Sequence, residues 1–471
     1  MRIFDTDVQK LKYEVLKQIA TRAYDGGLQT ACVDVPKLLA PGPKATMRCC
    51  IYKERAILAE RVKIALGGEA SDPRMVEVIP TACDECPVSG YQVGPACRGC
   101  IAHRCMAACP KGAISIDENR HARIDPAKCV SCGRCAAVCP YSAIANHRRP
   151  CENACKAHVI HMGEDSVATI DGDRCTDCGA CVYQCPFGAI QDKCFLPQAI
   201  ELVRNAGPES RVYAVVAPSI SSQFRYAKLG QVITALKRLG FHAVVEAALG
   251  ADMTALAEAR ELAEKGFLIS SCCPSFVRYV ETEFPTLKPY VSHTPSPMAM
   301  LARYLKKTDP AARVVFIGPC TSKKQERTRP EVAPYVDCVL TFEELQAWLD
   351  SRDFDLAALP EDVLDNASYY GRIFARSGGL CDAVKQALAE QGIDFDLKPV
   401  ACDGLESCRT ALLQKRVGKL EANFIEGMAC IGGCIGGAGC LTHGAKDKGE
   451  VDRYGMQAYE KHIKDAVSVL G

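Results

Sequence analysis

Two stretches of this 471-residue chain carry cysteines at the same close spacing, C-x2-C-x2-C-x3-C-P. The two sets are Cys129, Cys132, Cys135 and Cys139, and Cys175, Cys178, Cys181 and Cys185. Thiolates at this spacing bind iron–sulfur clusters: three from one run hold one 4Fe-4S cluster, and the fourth crosses to a second cluster. Structural zinc or plain core cysteine explains a repeated run less well. The spacing therefore predicts electron-transfer chemistry.

A longer version of the run, "CRGCIAHRCMAACP", precedes the first set and has four residues between Cys100 and Cys105 where the others have two. The crossing rule then predicts two clusters in this part of the chain. Their ligands are Cys97, Cys100, Cys105 and Cys139 for one, and Cys109, Cys129, Cys132 and Cys135 for the other. His103 lies in the insertion and is either a ligand or a solvated loop histidine.

The second run is preceded by a half-repeat that keeps only Cys151 and Cys155. Cys155 can complete a cluster with Cys175, Cys178 and Cys181, which leaves Cys151 and Cys185 over. Upstream, "TACDECPVSGY" supplies a C-x2-C pair, Cys83 and Cys86. The hypothesis is that Cys83, Cys86, Cys151 and Cys185 hold a fourth 4Fe-4S cluster. The alternative makes Cys83 and Cys86 a separate zinc or cluster half-site.

The elements that position these cysteines divide the chain into four predicted regions. Residues 1–75 have apolar residues at helical spacing and form a small helical N-terminal region. Two α+β modules of the bacterial ferredoxin type follow, at 76–146 and 147–200. In 201–471, strand-like runs such as "RVYAVVAP" and "ARVVFIGP" alternate with helix-like runs such as "DMTALAEARELAEK". That alternation predicts an α/β domain of parallel sheets flanked by helices.

Composition narrows the functional classes. Thirty cysteines in a large chain favour metal binding over a disulfide scaffold. The formal net charge of +1 gives no basic excess for nucleic acid or anionic lipid. No secretory signal and no stretch of ~20 apolar residues is apparent, so a cytoplasmic location without a membrane span is expected.

Two adjacent cysteines, Cys272 and Cys273, lie in "SSCCPSFVRYV" (270–280), which directly follows the apolar run "FLI" (267–269). Vicinal cysteines rarely bond to each other, so one thiol is expected to bind a group while its neighbour has another role. Sites of α/β proteins lie after strands, as this pair does. No nicotinamide or flavin fingerprint is present in the sequence. The clusters are therefore predicted to relay electrons to a redox site in the last region.

Three segments of the last region resemble the signature segments of FeFe-hydrogenases, TSCCPxW, MPCxxKxxE and ExMACxxGCxxGG. The matching stretches are "SCCPSFV" from residue 271, "GPCTSKKQE" from 318 and "EGMACIGGCIGGAGC" from 426. They occur in the family's order within roughly residues 210 to 445. Residues 76–200 resemble that family's accessory ferredoxin domains.

The resemblance implies an H-cluster, which is a 4Fe-4S cluster joined to a two-iron subcluster with CO, cyanide and azadithiolate. Its implied ligands are Cys273, Cys320, Cys430 and Cys434, and Cys434 would bridge the two parts. Cys272 would stay free and pass protons, and Lys323 would face a cyanide. The adjacent Lys324 could fill the role of an ordinary surface lysine. Positions implied to line the pocket are Pro218, Ser219 and Met428.

The resemblance also implies a proton path through Glu258, Glu261 and Ser292. The two glutamates lie one helical turn apart and could face one channel, although surface glutamates on an amphipathic helix are the alternative. Departures from the commonest pattern include Ser275 and Phe276 for Gly-Trp, and resemble the group B branch. The further departures are Gly318, Met298 and Cys440.

The expected function is reversible reduction of protons to H2, with electrons relayed through three or four accessory 4Fe-4S clusters. Expected partners are ferredoxin or another redox protein, hydrogenase maturation proteins, H2 and protons, and no nucleic acid. A hydrogen-sensing protein with slow turnover would keep the same ligands. A third class is the eukaryotic cluster-assembly relative, which lacks the two-iron site.

Overall fold

The computed structural model describes residues 4–87, 89–163, 165–444 and 446–470. Three helices come first: α1 (Asp7–Asp25), α2 (Ala31–Leu39) and α3 (Ile51–Ala65). α1 begins where the Thr6 hydroxyl accepts a hydrogen bond from the Gln9 backbone, which satisfies one of the amide groups left free at a helix start. Leu16, Ile19 and Val62 are buried on the faces that these helices turn inward.

Residues 76–204 contain short strands and helices around the cysteine runs. The strands are β1 (Val76–Val78), β2 (Gly90–Val93), β3 (Ile114–Ile116), β4 (Ala122–Ile124), β5 (Ile144–His147), β6 (Ile160–Met162), β7 (Ala168–Ile170) and β8 (Ile190–Asp192). The helices are α4 (Arg104–Ala107), α5 (Arg134–Ala137), α6 (Pro150–Ala154), α7 (Ala180–Gln184) and α8 (Leu196–Arg204). All four strand pairs here, β1–β8, β2–β5, β3–β4 and β6–β7, are antiparallel.

Glycine precedes the short helix in each of the two complete cysteine runs. Gly133 and Gly179 precede α5 and α7 in the left-handed region, at φ 76° and 75°, which costs glycine little. A Cβ on Gly179 would lie 2.6 Å from Thr321 Oγ1. The second cysteine module therefore packs its cluster loop closely against the last domain.

Residues 211–470 contain two parallel sheets, which confirms the predicted class. The strands are β9 (Arg211–Val216), β10 (Ala243–Glu246), β11 (Leu268–Ile269), β12 (Ala312–Gly318), β13 (Cys338–Thr341), β14 (Pro399–Asp403) and β15 (Phe424–Met428). One sheet has the order β10-β9-β12-β13 and the other β11-β15-β14. Every pairing in both is parallel, so the carboxyl ends of the strands within each sheet share an edge.

Helices flank these sheets, as the alternating pattern predicts. They are α9 (Leu229–Leu239), α10 (Ala247–Lys265), α11 (Pro274–Glu283), α12 (Pro297–Thr308), α13 (Ser322–Glu326), α14 (Phe342–Ser351), α15 (Tyr369–Ile373), α16 (Gly379–Gln391), α17 (Leu405–Arg416), α18 (Asp447–Met456) and α19 (Ile463–Ser468). α10 packs against α12 and α16. None of the helices in the described ranges has the length and apolar character that crossing a membrane requires.

A buried charge network joins the helical N-terminal region, the second cysteine module and the last domain. Lys324 donates to Asp192 at 2.8 Å and to Glu344 at 2.9 Å, while Lys12 of α1 bonds Asp192 and Glu343. The prediction that Lys324 takes the surface role is therefore wrong, since its side chain is fully buried. Two lysines are needed here because three carboxylates are buried together, and an unpaired buried charge is costly.

Candidate metal centre

Four cysteines meet in one cavity at the carboxyl ends of parallel strands. Cys273 follows β11, Cys320 follows β12, and Cys430 and Cys434 follow β15. All four line a cavity of about 90 Å³, together with Cys272 and Lys323. Open α/β sheets bind ligands at this edge, and the loops of two sheets bring the three sequence segments together here.

The other pocket residues implied by the resemblance lie in the same cavity. Pro218, Ser219 and Met428 all line it. The Ser219 hydroxyl is fully buried and has no hydrogen-bond partner among the described residues. A buried polar group without a partner is costly, so this hydroxyl indicates a polar group that fills the cavity. Met298, one of the departures from the common pattern, is also part of the lining.

The thiols in this cavity suit metal ligation. Burial, followed by the charges of neighbouring thiolates, raises the pKa of Cys320 and of Cys434 to about 12. Several buried thiolates cannot stand together without a cation, whereas a metal cluster deprotonates its ligands and compensates their charge. The donor set and the unpaired Ser219 hydroxyl therefore fit the H-cluster.

Lys323 enters the cavity from α13. Its ammonium donates to Glu326 at 2.7 Å, to the Ser296 hydroxyl at 2.9 Å and to the Cys272 carbonyl at 3.3 Å. Burial lowers the pKa of Lys323, but Glu326 outweighs that effect and raises it. The lysine is therefore a fixed cation at the cavity wall, held by Ser296 and Glu326, which sequence reasoning did not single out.

The free thiol beside the ligands leads to a chain of polar groups. Glu258 of α10 is fully buried and accepts from the Ser271 backbone at 3.1 Å and from its hydroxyl at 3.2 Å. Burial and the Glu258 charge raise the pKa of Cys272 well above its usual value. Burial also raises the pKa of Glu258 to about 7, while the hydrogen bonds from Ser271 oppose this.

The chain continues from Ser292 to the surface. The Ser292 hydroxyl donates to Glu261 at 2.6 Å, and Lys265 donates to Glu261 at 2.6 Å. The exposed His293 ring lies 3.0 Å from the same carboxylate. Burial favours a high pKa for Glu261, but hydrogen bonds from Lys265 and Ser292 outweigh it and lower the pKa to about 2. The two glutamates thus have well-separated pKa values. Ser271, Lys265 and His293 are path neighbours that sequence reasoning missed.

The cysteines of the accessory modules also surround cavities. One cavity of about 20 Å³ is lined by Cys109, Cys129, Cys132 and Cys135. Another of about 20 Å³ is lined by Cys155, Cys175, Cys178 and Cys181, called here the proximal set. In both, a cysteine from the partner half-repeat joins three from one run, as crossing requires. Cys105 neighbours Cys100 and Cys139, whose charges add to the effect of burial in raising its pKa. Cys97 packs in the same small core.

Cys83, Cys86, Cys151 and Cys185 are called here the distal set. Cys83, Cys151 and Cys185 are buried in one core cluster. Burial, followed by the charges of the neighbouring Cys185 and Cys83, raises the pKa of Cys151 to about 11. Cys185 and Cys83 also help raise the pKa of Cys86, after burial. The four thiols that the sequence left without other partners are therefore neighbours.

The arrangement of these sets differs from a site for one ion. In the described part of the chain, no group of three or more His, Cys, Asp or Glu side chains could hold a single metal ion. Each thiolate of a 4Fe-4S cluster binds its own iron, so its ligands stand around a volume. His103 is half-buried at the start of α4.

Comparison with known proteins agrees with this geometry. Residues 210–438 match the family described as the iron-only hydrogenase large subunit, C-terminal domain. Residues 96–143 match a 4Fe-4S dicluster domain and residues 168–191 a 4Fe-4S binding domain. Residues 210–438 are therefore similar to FeFe-hydrogenases, and the segments before them are similar to ferredoxin-type domains. The first match contains every cysteine of the cavity that Cys273, Cys320, Cys430 and Cys434 line.

The similar proteins include hydrogenases and cytosolic Fe-S cluster assembly factors. Iron hydrogenase 1 of Clostridium pasteurianum is 27% identical over 54% of this chain and 54% of its own length. The periplasmic [Fe] hydrogenase large subunit of Nitratidesulfovibrio vulgaris is 29% identical over 69% of this chain and 87% of its own length. The cytosolic Fe-S cluster assembly factor NAR1 of Eremothecium gossypii is 32% identical over 33% of this chain and 38% of its own length. The chain thus spans about half the length of the clostridial relative.

A solved structure shares the fold of the hydrogenase-like domain. A single-substitution variant of an FeFe-hydrogenase from Chlamydomonas reinhardtii superposes with a TM-score of 0.50 at 22% identity. The superposition covers 58% of this chain and 92% of the other. The hydrogenase-like chain thus carries its cysteine modules in addition to a domain of that fold.

Proposed function

We propose that this chain is an FeFe-hydrogenase that interconverts two protons and two electrons with H2. The observation that carries the proposal is the buried cavity in which four cysteines, a fifth free thiol and a fixed lysine meet. When bound there, the H-cluster would supply an open iron site and an amine base for forming or splitting H2. The chain's own residues hold the cluster, exclude water and move protons and electrons.

Proton movement is assigned to the polar chain behind Cys272. Its thiol is not one of the four proposed ligands, so it can accept and release a proton, and Glu258 is the next titratable group. A carboxyl with a pKa of about 7 can act as donor and acceptor near neutral pH. Ser292 connects it to Glu261, whose low pKa keeps the outer carboxylate charged and ready to accept.

Electron movement is assigned to the accessory cysteine sets. Cys178 of the proximal set is a neighbour of Cys430. Burial and the charges of Cys320 and Cys273 raise the pKa of Cys430 most, and the charge of Cys178 adds to this effect. The distal set comes next, because Cys151 of that set is close enough to Cys181 of the proximal set for its charge to help raise the pKa of Cys181, after burial and the charges of nearer cysteines. A relay of 4Fe-4S clusters through these sets would carry electrons between a ferredoxin-type partner and the proposed H-cluster cavity. Cytoplasmic location, use of maturation proteins and membership of the group B branch remain predictions.

The test combines activity with spectroscopy. Anaerobically iron-loaded protein is given the two-iron subcluster, and H2 evolution with a strong reductant is measured beside an infrared spectrum. CO and cyanide bands together with turnover are expected. A Cys434→Ala sample is the matched control, because removal of the proposed bridging ligand should abolish the bands. Absence of bands in a native sample with a filled 4Fe-4S site would refute the proposal.

Cluster assembly is the second candidate, favoured by the similarity to NAR1. It predicts filled 4Fe-4S sites and no uptake of the two-iron subcluster. The buried Lys323 and free Cys272 favour the hydrogenase, since a 4Fe-4S cluster alone would need neither. A hydrogen sensor would give the infrared bands with very slow turnover, so the same experiment separates the three functions.

A further inference from the structure

The distal set is surrounded by arginines that come from outside its own cysteine motifs. The Arg149 guanidinium donates to Cys83 Sγ at 3.5 Å, to the Cys86 carbonyl at 3.3 Å and to the Pro87 carbonyl at 3.2 Å. Arg149 is 1% exposed. A fully buried cation thus contacts the loop that carries half of the proposed ligands.

Two further arginines come from the helical N-terminal region. Arg61 of α3 donates to the Phe187 carbonyl at 2.9 Å, and Arg48 donates to the same carbonyl at 3.3 Å and to the Ala82 carbonyl at 3.4 Å. Phe187 lies two residues after Cys185, and Ala82 lies next to Cys83. The two side chains therefore cover both arms of the distal set.

These guanidinium groups have donors left over. Arg61 Nε and Nη1 and Arg48 Nη1 are buried without a hydrogen-bond partner among the described residues. The hydrogen bonds of Arg61 and Arg149 go to carbonyls and sulfur, and the carboxylate nearest to Arg48 is the half-exposed Glu85 at 3.7 Å. Arg61 and Arg149 are therefore buried cations with no carboxylate partner among the described residues, which is unfavourable. An anionic group between them would remove that penalty.

A 4Fe-4S cluster with four thiolates is such an anion, doubly negative when oxidised and triply negative when reduced. Nearby cations stabilise the reduced form more than the oxidised form, which raises the reduction potential. The proximal set has a buried acidic residue as a neighbour. Asp177 is buried and donates its backbone N–H to Cys175 Sγ at 3.4 Å.

We propose that Arg48, Arg61 and Arg149 form a cationic cage around a 4Fe-4S cluster held by the distal set, and that the cage raises its reduction potential above that of the cluster in the proximal set. The proposal rests on the electron relay assigned above. It gives the helical N-terminal region a role, since α3 supplies Arg61 and the loop before α3 supplies Arg48. Electrons that enter the relay would then rest on the distal cluster, one step from the cluster nearest the catalytic cavity.

Iron counting and redox titration test the cage without any H2 turnover. Reconstituted wild-type protein and a Cys83→Ser/Cys86→Ser double variant are compared for iron, sulfide and zinc, and for the paramagnetic resonance signals that appear on reduction. The double variant should lose about four irons per chain and one signal, which identifies the distal cluster. Unchanged iron, or zinc in place of iron, would overturn the proposal.

The potential of the identified signal is then followed in Arg61→Met and Arg149→Met. Each should shift it to more negative values by at least about 59 mV, a tenfold change in the ratio of reduced to oxidised cluster. Arg61→Lys keeps the charge and should shift it less. Arg55→Met is the matched control, because Arg55 is on the same helix but donates to the carbonyls of Ala40 and Pro41. Asp177→Asn should instead raise the potential of the proximal cluster.

Unchanged potentials in both cage variants would refute the cage even if the distal cluster exists. If Arg61→Met and Arg149→Met cannot be purified with their clusters, Arg48→Met carries the same test at a less buried position. A protein that lacks hydrogenase activity but shows these shifts would refute the proposed function and leave the cage intact. The two conclusions therefore fail separately.

Discussion

Replacement of Glu258 by glutamine should make the protein more stable and less active. Glu258 is fully buried in α10 between Ser271 and the Cys272 side of the cavity, and its Oε2 has no hydrogen-bond partner among the described residues. Glutamine has nearly the same shape and cannot ionise. The substitution therefore removes a buried titratable group while it preserves packing, and it breaks the proposed relay at its first carboxyl.

The stability gain depends on pH. Burial raises the Glu258 pKa from about 4.5 to about 7. A raised folded-state pKa leaves the free energy of unfolding unchanged below about pH 4.5. Above that pH it lowers the free energy of unfolding, increasingly until the pH passes 7. At about 1.36 kcal/mol per pKa unit, the full cost is roughly 3 kcal/mol. The melting temperature of Glu258→Gln should therefore rise relative to that of the wild type between pH 5 and pH 8, by on the order of 6 °C for a domain of this size.

Activity should fall by about 10²–10⁴-fold, the usual contribution of one proton-transfer group. The assay measures H2 evolution and infrared bands on the same samples, with melting temperatures at pH 5 and pH 8. Glu264→Gln, in the same helix but outside the described hydrogen-bond chain, is the control. Unchanged turnover would show that Glu258 is not part of the proton relay. A stability difference that does not grow with pH would show that its pKa is not raised.

Other substitutions test the remaining parts of the site. Cys272→Ala should lower H2 evolution by about 10²-fold or more and leave the infrared bands in place; loss of the bands would mean that Cys272 is a ligand. Lys323→Met should weaken uptake of the two-iron subcluster, measured by band intensity, with the 4Fe-4S iron count unchanged. Lys324→Met should instead destabilise the fold by about 3–5 kcal/mol, because it breaks a buried ion network, and chemical unfolding would detect this. Lys12→Met should loosen α1 from the remainder, seen as faster proteolysis of residues 1–75, and equal protease resistance would contradict the docking role of that network.

The fold and the grouping of the ferredoxin-type cysteines could largely be predicted from the sequence because both depend on local patterns. Alternating strand-like and helix-like runs predicted the parallel sheets, and cysteine spacing predicted the sets that now surround cavities. The network around Lys324 could not be predicted, since its partners Asp192 and Glu344 lie 132 and 20 residues away. Gly427 is a similar case: a Cβ there would lie 2.0 Å from the Phe276 ring, and no local pattern announces that contact.

The helical N-terminal region shows how a segment without chemistry of its own can affect a redox site. Its sequence carries no metal-ligand spacing, and its amphipathic helices predict only packing. In the folded chain, Lys12 neutralises the buried carboxylates Asp192 and Glu343, while Arg61 brings unpaired donors beside Phe187 and the distal set. Both are buried cations, and their cost is removed only when the anions they face are present. Cluster insertion into the distal set should therefore stabilise these helices, and protection of the α3 amides from hydrogen exchange should rise when iron is loaded and stay low in the Cys83→Ser/Cys86→Ser variant.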